Sequence, residues 1–388
     1  MSSAHWVDGN QLTLIQNGAE YFPQLCVDMD AAQHSIYLET YIFSADRIGR
    51  VVADAMRRAA RRGVEVRVLL DGFGSASLPQ QWVDELHMAG VQVQWFRREI
   101  YRFKLRRHRL RRLHRKLVVI DGEVAFIGGI NISDDMAEHE YFLAPRLDYA
   151  VRVQGAVADQ MHVVMANLWR MVAWANLRRR GKRFERWPAI LKQVPSAGRV
   201  VLLLRDNLRH RRDIENAYLQ ALATAQREVL IANAYFLPGR EFRRALISAA
   251  QRGVRVVLLL QGRVEYRLQH YATHALYERL LSADIEIYEY QPSYLHAKVA
   301  VVDGHWATVG SSNIDPFSLL LAREANLAVW DANFAGVLRT SLCKVIERDA
   351  LRIEAVHWRN LNVIARMLMK LSYGLVRMLV DIVGQGRH

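Results

Sequence analysis

Short unbroken aliphatic runs, each bounded by turn residues and separated by segments of helical periodicity, recur along this chain. Leu117 to Ile120 and Val299 to Val302 both stop at Asp-Gly, the mark of a buried strand that ends in a tight turn. Leu147-Asp148-Tyr-Ala-Val-Arg-Val and Arg323-Glu324-Ala-Asn-Leu-Ala-Val predict a further strand in each half, with one carboxylate at its start. Ala59-Ala-Arg-Arg-Gly63-Val-Glu-Val-Arg-Val-Leu-Leu-Asp71-Gly72 returns as Ala249-Ala-Gln-Arg-Gly253-Val-Arg-Val-Val-Leu-Leu-Leu-Gln261-Gly262, a helix end, a glycine cap and an apolar strand. The pattern predicts an α/β chain made of a duplicated unit, each copy a mixed sheet flanked by helices.

With 388 residues the chain has room for two ordinary domains, which the pattern places at residues 1–177 and 198–349. A basic connector at 178–197 joins them and a tail at 350–388 follows. In the tail, Val363 to Val383 gathers Arg366, Lys370, Arg377 and Asp381 within about 60° of a helical wheel, and the rest is largely apolar. These charges make a poor membrane span; a helix lying in the headgroup plane and one packed on protein both fit. Val163 to Leu177 is apolar but short and contains Arg170, which predicts a buried helix.

The two aliphatic runs carry the chemistry. Each completes a His-x-Lys-x-x-x-x-Asp motif: His114, Lys116 and Asp121 in one, His296, Lys298 and Asp303 in the other. Alternation along a strand puts each histidine and its lysine on one face. Imidazole serves as nucleophile or acid toward a phosphate, and an ammonium neutralises its oxygens. The two aspartates belong to the motif and are counted with its catalytic residues. Their odd spacing from the lysines turns them to the opposite face of an unbroken strand, which favours a structural part at the strand end. Gly128-Gly129-Ile-Asn131 and Gly310-Ser311-Ser312-Asn313 follow, where small residues let backbone N–H groups approach an anion and Ser311, Asn131 and Asn313 offer side-chain hydrogen bonds. Asp148 and Glu324 are candidates to orient the histidines by accepting an Nδ1 proton.

With these paired motifs and turns the chain resembles the phospholipase D superfamily. Ile36-Tyr-Leu-Glu39-Thr-Tyr-Ile-Phe43, Leu70-Asp71-Gly-Phe-Gly-Ser75, Ala232-Asn233-Ala-Tyr235-Phe236-Leu-Pro238 and Ala307-Thr-Val-Gly-Ser-Ser-Asn-Ile-Asp315-Pro extend the likeness to the bacterial cardiolipin synthases, in the branch without an N-terminal membrane anchor. The resemblance implies two phospholipase D-like domains packed about a pseudo-two-fold axis, with both histidines facing one cleft. It implies phosphatidyl transfer between two phosphatidylglycerol molecules through a phosphatidyl-histidine intermediate, with His114 as nucleophile and His296 as acid and base. Lys116, Lys298, Asn131 and Asn313 would grip the phosphate. Phe317 and Arg323 depart from the family's usual residues, which leaves the lipid pair less fixed than the chemistry.

A formal net charge of +14 points to an anionic partner, lipid or nucleic acid. Eleven Lys or Arg residues between Arg97 and Lys116, interleaved with Ile100, Tyr101, Phe103 and leucines, suit an anionic phospholipid membrane better than a nucleic acid. A nuclease would use the same histidines and lysines but leaves the cardiolipin-synthase segments and amphipathic tail unexplained. A lipid hydrolase differs only in taking water as acceptor, and a non-catalytic membrane-binding protein has no need of two intact motifs. Cys26 and Cys343 are too few for a disulfide framework, and no metal-ligand spacing occurs, so the expectation is an enzyme without metal or cofactor. Met1 to Asn10 lacks the regions of a signal peptide. The resemblance implies a peripheral position on the cytoplasmic face of the bacterial inner membrane.

Overall fold

In the computed structural model, which describes residues 5–98, 111–136, 145–176, 198–206, 209–316, 318, 322–355 and 363–384, the duplication becomes two mixed sheets. The first contains β1 (Asn10–Gln16), β2 (Ser35–Thr40), β3 (Glu65–Asp71), β4 (Gln92–Phe96), β5 (Leu117–Ile120), β6 (Val124–Gly128) and β7 (Tyr149–Gly155), in the order β1-β7-β6-β5-β2-β3-β4. The second contains β8 (Arg199–Arg205), β9 (Glu228–Asn233), β10 (Arg255–Gln261), β11 (Glu286–Tyr290), β12 (Lys298–Val302), β13 (Trp306–Gly310), β14 (Glu324–Trp330) and β15 (Ala350–Arg352), in the order β15-β11-β10-β9-β12-β13-β14-β8. The pairs β2·β3, β3·β4, β9·β10 and β10·β11 are parallel, and the others are antiparallel.

The repeated helix-glycine-strand segment behaves alike in both copies. Helix Arg47–Arg61 leads to Gly63 (φ 92°) and helix Arg240–Gln251 to Gly253 (φ 87°), the left-handed conformation that reverses the chain into β3 and β10. Asp46 caps the first of these helices, its side chain accepting from Gly49 N at 2.8 Å.

Three apolar cores hold the layers. One lies outside the first sheet, with Leu25, Met56, Val66 and Phe126; another outside the second, with Phe242, Leu246, Val256 and Ile287. The third is shared: Leu117, Val119 and Val151 of the first sheet meet Leu230, Val299 and Leu327 of the second, and helices Ala156–Ala175 and Ala332–Asp349 add Met161, Trp169, Leu338 and Leu342. Strands β5 and β12 therefore lose water on both faces, which explains their unbroken aliphatic sequence. The stretch from Val163 lies within a helix that fills this shared core.

Two boundaries differ from the sequence reading. Ala350–Arg352, placed in the tail, pairs with β11, so the second sheet continues past residue 349. Val7, close to the N-terminus, bridges to Val200 of the second half. The connector at 178–197 lies outside the described residues, as does most of the basic stretch, 99–110. No described helix is long and apolar enough to cross a membrane.

Candidate active site

The two motifs meet where the halves are sewn together by backbone. His114 N donates to Arg323 O at 2.9 Å, and Arg323 N to Arg112 O at 2.7 Å. The second half repeats this: His296 N donates to Leu147 O at 2.8 Å, and Leu147 N to Tyr294 O at 3.1 Å. Each segment that delivers a histidine thus runs beside the segment that delivers the other half's carboxylate.

The side chains follow that crossing. His114 Nδ1 lies 3.0 and 3.1 Å from the two oxygens of Glu324, and His296 Nδ1 lies 2.6 Å from Asp148 Oδ2. Both carboxylates are buried. The carboxylate that begins a strand in one half serves the histidine of the other, a relation spacing along the chain does not reveal. A carboxylate on Nδ1 fixes the tautomer and leaves Nε2 for chemistry.

Lys116 Nζ donates to His114 O at 2.8 Å, and Lys298 Nζ donates to His296 O. Burial pushes Lys116 down to about 7, against the pull of Glu324, and Lys298 down to about 8, against the pull of Asp148. Burial likewise lowers His114 and, with Lys298, Lys116 and Arg146 adding to it, lowers His296 well below its usual value. Asp148 is raised by burial to about 6. Two lysines and two histidines lowered in this way form a buried cluster in need of negative charge, the kind of charge a phosphate carries.

The turn residues do different work from that expected of them. Gly129 N and Ser311 N donate to Tyr149 O and Ala325 O, each at 3.0 Å, so neither is available to an anion. Instead both residues support carboxylates. Ser311 Oγ donates to Glu324 Oε2 at 2.5 Å, whereas a Cβ at Gly129 would come within 2.3 Å of Asp148 Oδ1. Asn131 and Asn313 are buried: Asn131 Oδ1 accepts from Ile42 N at 3.4 Å, Asn313 Nδ2 donates to Ser318 Oγ at 3.4 Å, and Asn313 Oδ1 has no hydrogen-bond partner among the described residues.

Asp121 and Asp303 are corrected from catalytic to structural. Each opens a three-residue hairpin turn, Asp121–Glu123 or Asp303–His305, whose first two residues are at positive φ (53° and 71°, 52° and 70°). Asp121 accepts from the backbone of Gln33, His34 and Ser35, each at 2.8 Å, and Asp303 from that of Gln226, Arg227 and Glu228 at 2.8–2.9 Å. Their carboxylates tie the hairpin end to the start of β2 or β9.

Three further residues line the site. The Tyr41 ring packs edge-on against His114 with centroids 4.8 Å apart, and Lys116 Nζ sits 5.4 Å from the centre of that ring. Arg146 lies 3.8 Å from Glu265 and adds its charge beside His296. Tyr41 stands within a segment that carried the family resemblance; Arg146 and Glu265 had no comparable signal. Among the described residues no cluster of three or more His, Cys, Asp or Glu could hold a metal ion.

Comparison with known proteins agrees with the duplication. The family model described as "Cardiolipin synthase, PLD-like domain" matches residues 25–169 and again 218–345, once over each motif. The chain belongs to this family. Over 90% of its length it is 41% identical to cardiolipin synthase B of Escherichia coli K12, covering 83% of that protein, and 42% identical to cardiolipin synthase B of Salmonella typhimurium with the same coverage. The crystal structure of a phosphatidylserine synthase from Haemophilus influenzae shares its fold, with a TM-score of 0.72 at 15% identity over 98% of this chain and 96% of that one. This member of the cardiolipin synthase family therefore carries the duplicated phospholipase D fold, and its paired histidines sit where its two halves meet.

Proposed function

We propose that the chain is a phosphatidyltransferase that joins two phosphatidylglycerol molecules into cardiolipin and releases glycerol. The observation that carries this reading is the pair of crossed histidine-carboxylate contacts beside two buried lysines. His114 Nε2 attacks the phosphorus of the first lipid, and the bond from phosphorus to the glycerol headgroup oxygen breaks. His296, protonated at Nε2, gives its proton to that leaving oxygen. The now neutral His296 takes the proton from a headgroup hydroxyl of the second lipid, whose oxygen attacks phosphorus and frees His114. Glu324 and Asp148 stabilise the imidazolium in turn, while Lys116 and Lys298 balance the charge on the phosphoryl oxygens.

Asn131 and Asn313 add neutral donors to the phosphoryl oxygens from the turns after each hairpin. Phosphate charge also raises the proton affinity of His296 and both lysines, so the acid becomes charged when substrate arrives. The enzyme acts peripherally, at the cytoplasmic face of the bacterial inner membrane.

Product analysis on phosphatidylglycerol vesicles tests the reaction. Cardiolipin and glycerol in equal amounts, both absent with His114→Ala, are expected. Phosphatidic acid as the sole product would replace the transferase by a hydrolase, and unchanged lipid beside degraded DNA would replace it by a nuclease. Quenching during turnover with denaturant at alkaline pH, where the P–N bond survives, should leave phosphate on His114; phosphate on His296 would exchange the two roles.

A further inference from the structure

The C-terminal helix Val363–Gly384 packs on helix Arg267–His274. Met369, Ser372 and Val376 are buried, and the Tyr373 hydroxyl accepts from Arg243 Nη1 at 2.7 Å. At 100° per residue these contacts occupy one sector of the wheel, Arg366, Lys370 and Arg377 a second, and a third sector roughly 120° wide is apolar. That third sector faces solvent: Ile364 is 74% and Leu371 62% exposed, and Met367, Leu375 and Met378 stand open beside them. The helix is docked by one face and has a second, water-exposed apolar face.

From the helix on which the C-terminal helix packs, a chain of contacts leads toward the catalytic histidines. Val264, Tyr266 and Leu268, at the start of that helix, are also exposed. Tyr266 meets the Tyr235 ring at 6.0 Å, Tyr235 donates to Glu265 at 2.6 Å, and Glu265 reaches Arg146, which neighbours the residue whose carbonyl holds His296. On the side of the other histidine, Phe73 is 60% exposed with Arg112 4.7 Å from its ring centre. Its neighbour Gly74 abuts Tyr41, whose ring rests on His114.

We propose that the outer face of the C-terminal helix, together with the 264–268 turn, docks on an anionic bilayer and holds the cleft mouth at headgroup level. Lys370 and Arg377 stand beside the apolar strip, so one surface offers apolar side chains to the acyl boundary and cations to the headgroups. A second copy of a chain with net charge +14 is repelled from the same face, whereas an anionic bilayer attracts it. The inference rests on the lipid-transfer reading and gives it a geometry: the phosphodiester enters while the acyl chains remain in the membrane.

The test uses the full chain carrying Leu371→Glu and Leu375→Glu, two outward residues whose replacement leaves the packed face intact, with an unchanged melting temperature as the folding control. Flotation with mixed phosphatidylglycerol and phosphatidylcholine vesicles should show binding weakened roughly tenfold or more. Turnover on those vesicles should fall in parallel, while turnover on monomeric short-chain phosphatidylglycerol stays within about twofold. A second variant, Lys370→Glu with Arg377→Glu, should lose preference for anionic over pure phosphatidylcholine vesicles. Unchanged vesicle binding, an equal loss on the monomeric lipid, or a wild-type dimer that the double glutamate dissociates would each overturn the proposal. Wild-type protein that binds the vesicles but turns over neither lipid would leave the docking surface standing and remove the transferase reading.

Discussion

The two halves place equivalent strands in equivalent registers, yet they support their histidines with different chemistry. Glu324 meets His114 with both oxygens and is held by the Ser311 hydroxyl; Asp148 meets His296 with one oxygen and takes the Tyr149 N–H at 2.8 Å, in space that Gly129 leaves open. The difference continues beneath the motifs. Arg115 lies 3.7 Å from buried Glu39, whose carboxyl burial pushes up to about 7 despite the pull of Arg115 and Arg323. By register, the equivalents of Glu39, Arg115 and Arg323 are Ala232, Ala297 and Leu147. One histidine sits above an ionic cluster that bridges the halves and the other above an apolar layer. Duplication has kept the backbone and released the surroundings, so two identical motifs can hold unlike roles.

Removing the histidines tests that asymmetry most severely. His114→Ala should lower lipid turnover by roughly 10⁴-fold or more and abolish the phosphoryl-enzyme. His296→Ala should stop turnover of the natural lipid, yet still form the phosphoryl-enzyme from a phosphodiester with a nitrophenol leaving group, which needs no acid. Equal intermediate from both variants would mean that the two histidines are interchangeable.

Next come the carboxylates. Glu324→Gln and Asp148→Asn should each cost roughly 10²- to 10⁴-fold in kcat through the wrong tautomer, and with the nitrophenol diester, which needs no acid, only Glu324→Gln should slow single-turnover formation of the intermediate. Ser311→Gly, which gives the second half the residue found in the first, should cost about tenfold in kcat, the worth of one hydrogen bond to a charged group. An unchanged kcat would show that Glu324 needs no such support.

The hairpin aspartates should act on stability instead. Asp303→Ala removes three backbone hydrogen bonds and should destabilise folding by about 3 kcal/mol, measured by urea unfolding, with the remaining folded protein fully active. Burial opposes the charge of Asp303 but the backbone donors outweigh it and lower its pKa. Its stabilisation is therefore present above the usual carboxylate range and is lost as pH falls through the folded-state value.

The lysines give a slope of the same sign in a higher pH window, because their pKa values are also lowered. They bind protons less tightly folded than unfolded, so from about pH 7 to about pH 10 the unfolded chain holds more protons and stability should rise with pH. The slope should be shallower in Lys116→Met and should flatten when inorganic phosphate fills the site. Incubation with a chelator is the mildest test, with no change in turnover expected; lost activity restored by a divalent cation would require a metal in the mechanism.

Much of this was legible in the sequence because strand alternation and turn chemistry are local. Two aliphatic runs, each ended by Asp-Gly, were enough to find the duplicated strands and the histidine-lysine pairs. The odd spacing of Asp121 and Asp303 pointed to their structural part, against their place in the motif. The exchange of carboxylates was hidden: Asp148 follows His114 in the chain but serves His296, because backbone bridges between the halves decide the pairing. The anion-binding part expected of Gly129 and Ser311 failed for a related reason, since sheet pairing had already taken their N–H groups. Strand β15 is only three residues long and half-exposed, too short for a periodic signal.

The crossed contacts also impose an order on the birth of the enzyme. When the first half leaves the ribosome it carries His114 and Lys116 but not Glu324, the Ser311 that supports it, or the second histidine. On the proposed mechanism a partly made or truncated chain has no complete means of breaking a phosphodiester, so a cell that synthesises this protein beside its own lipids exposes them to the reaction only after the last strands have closed.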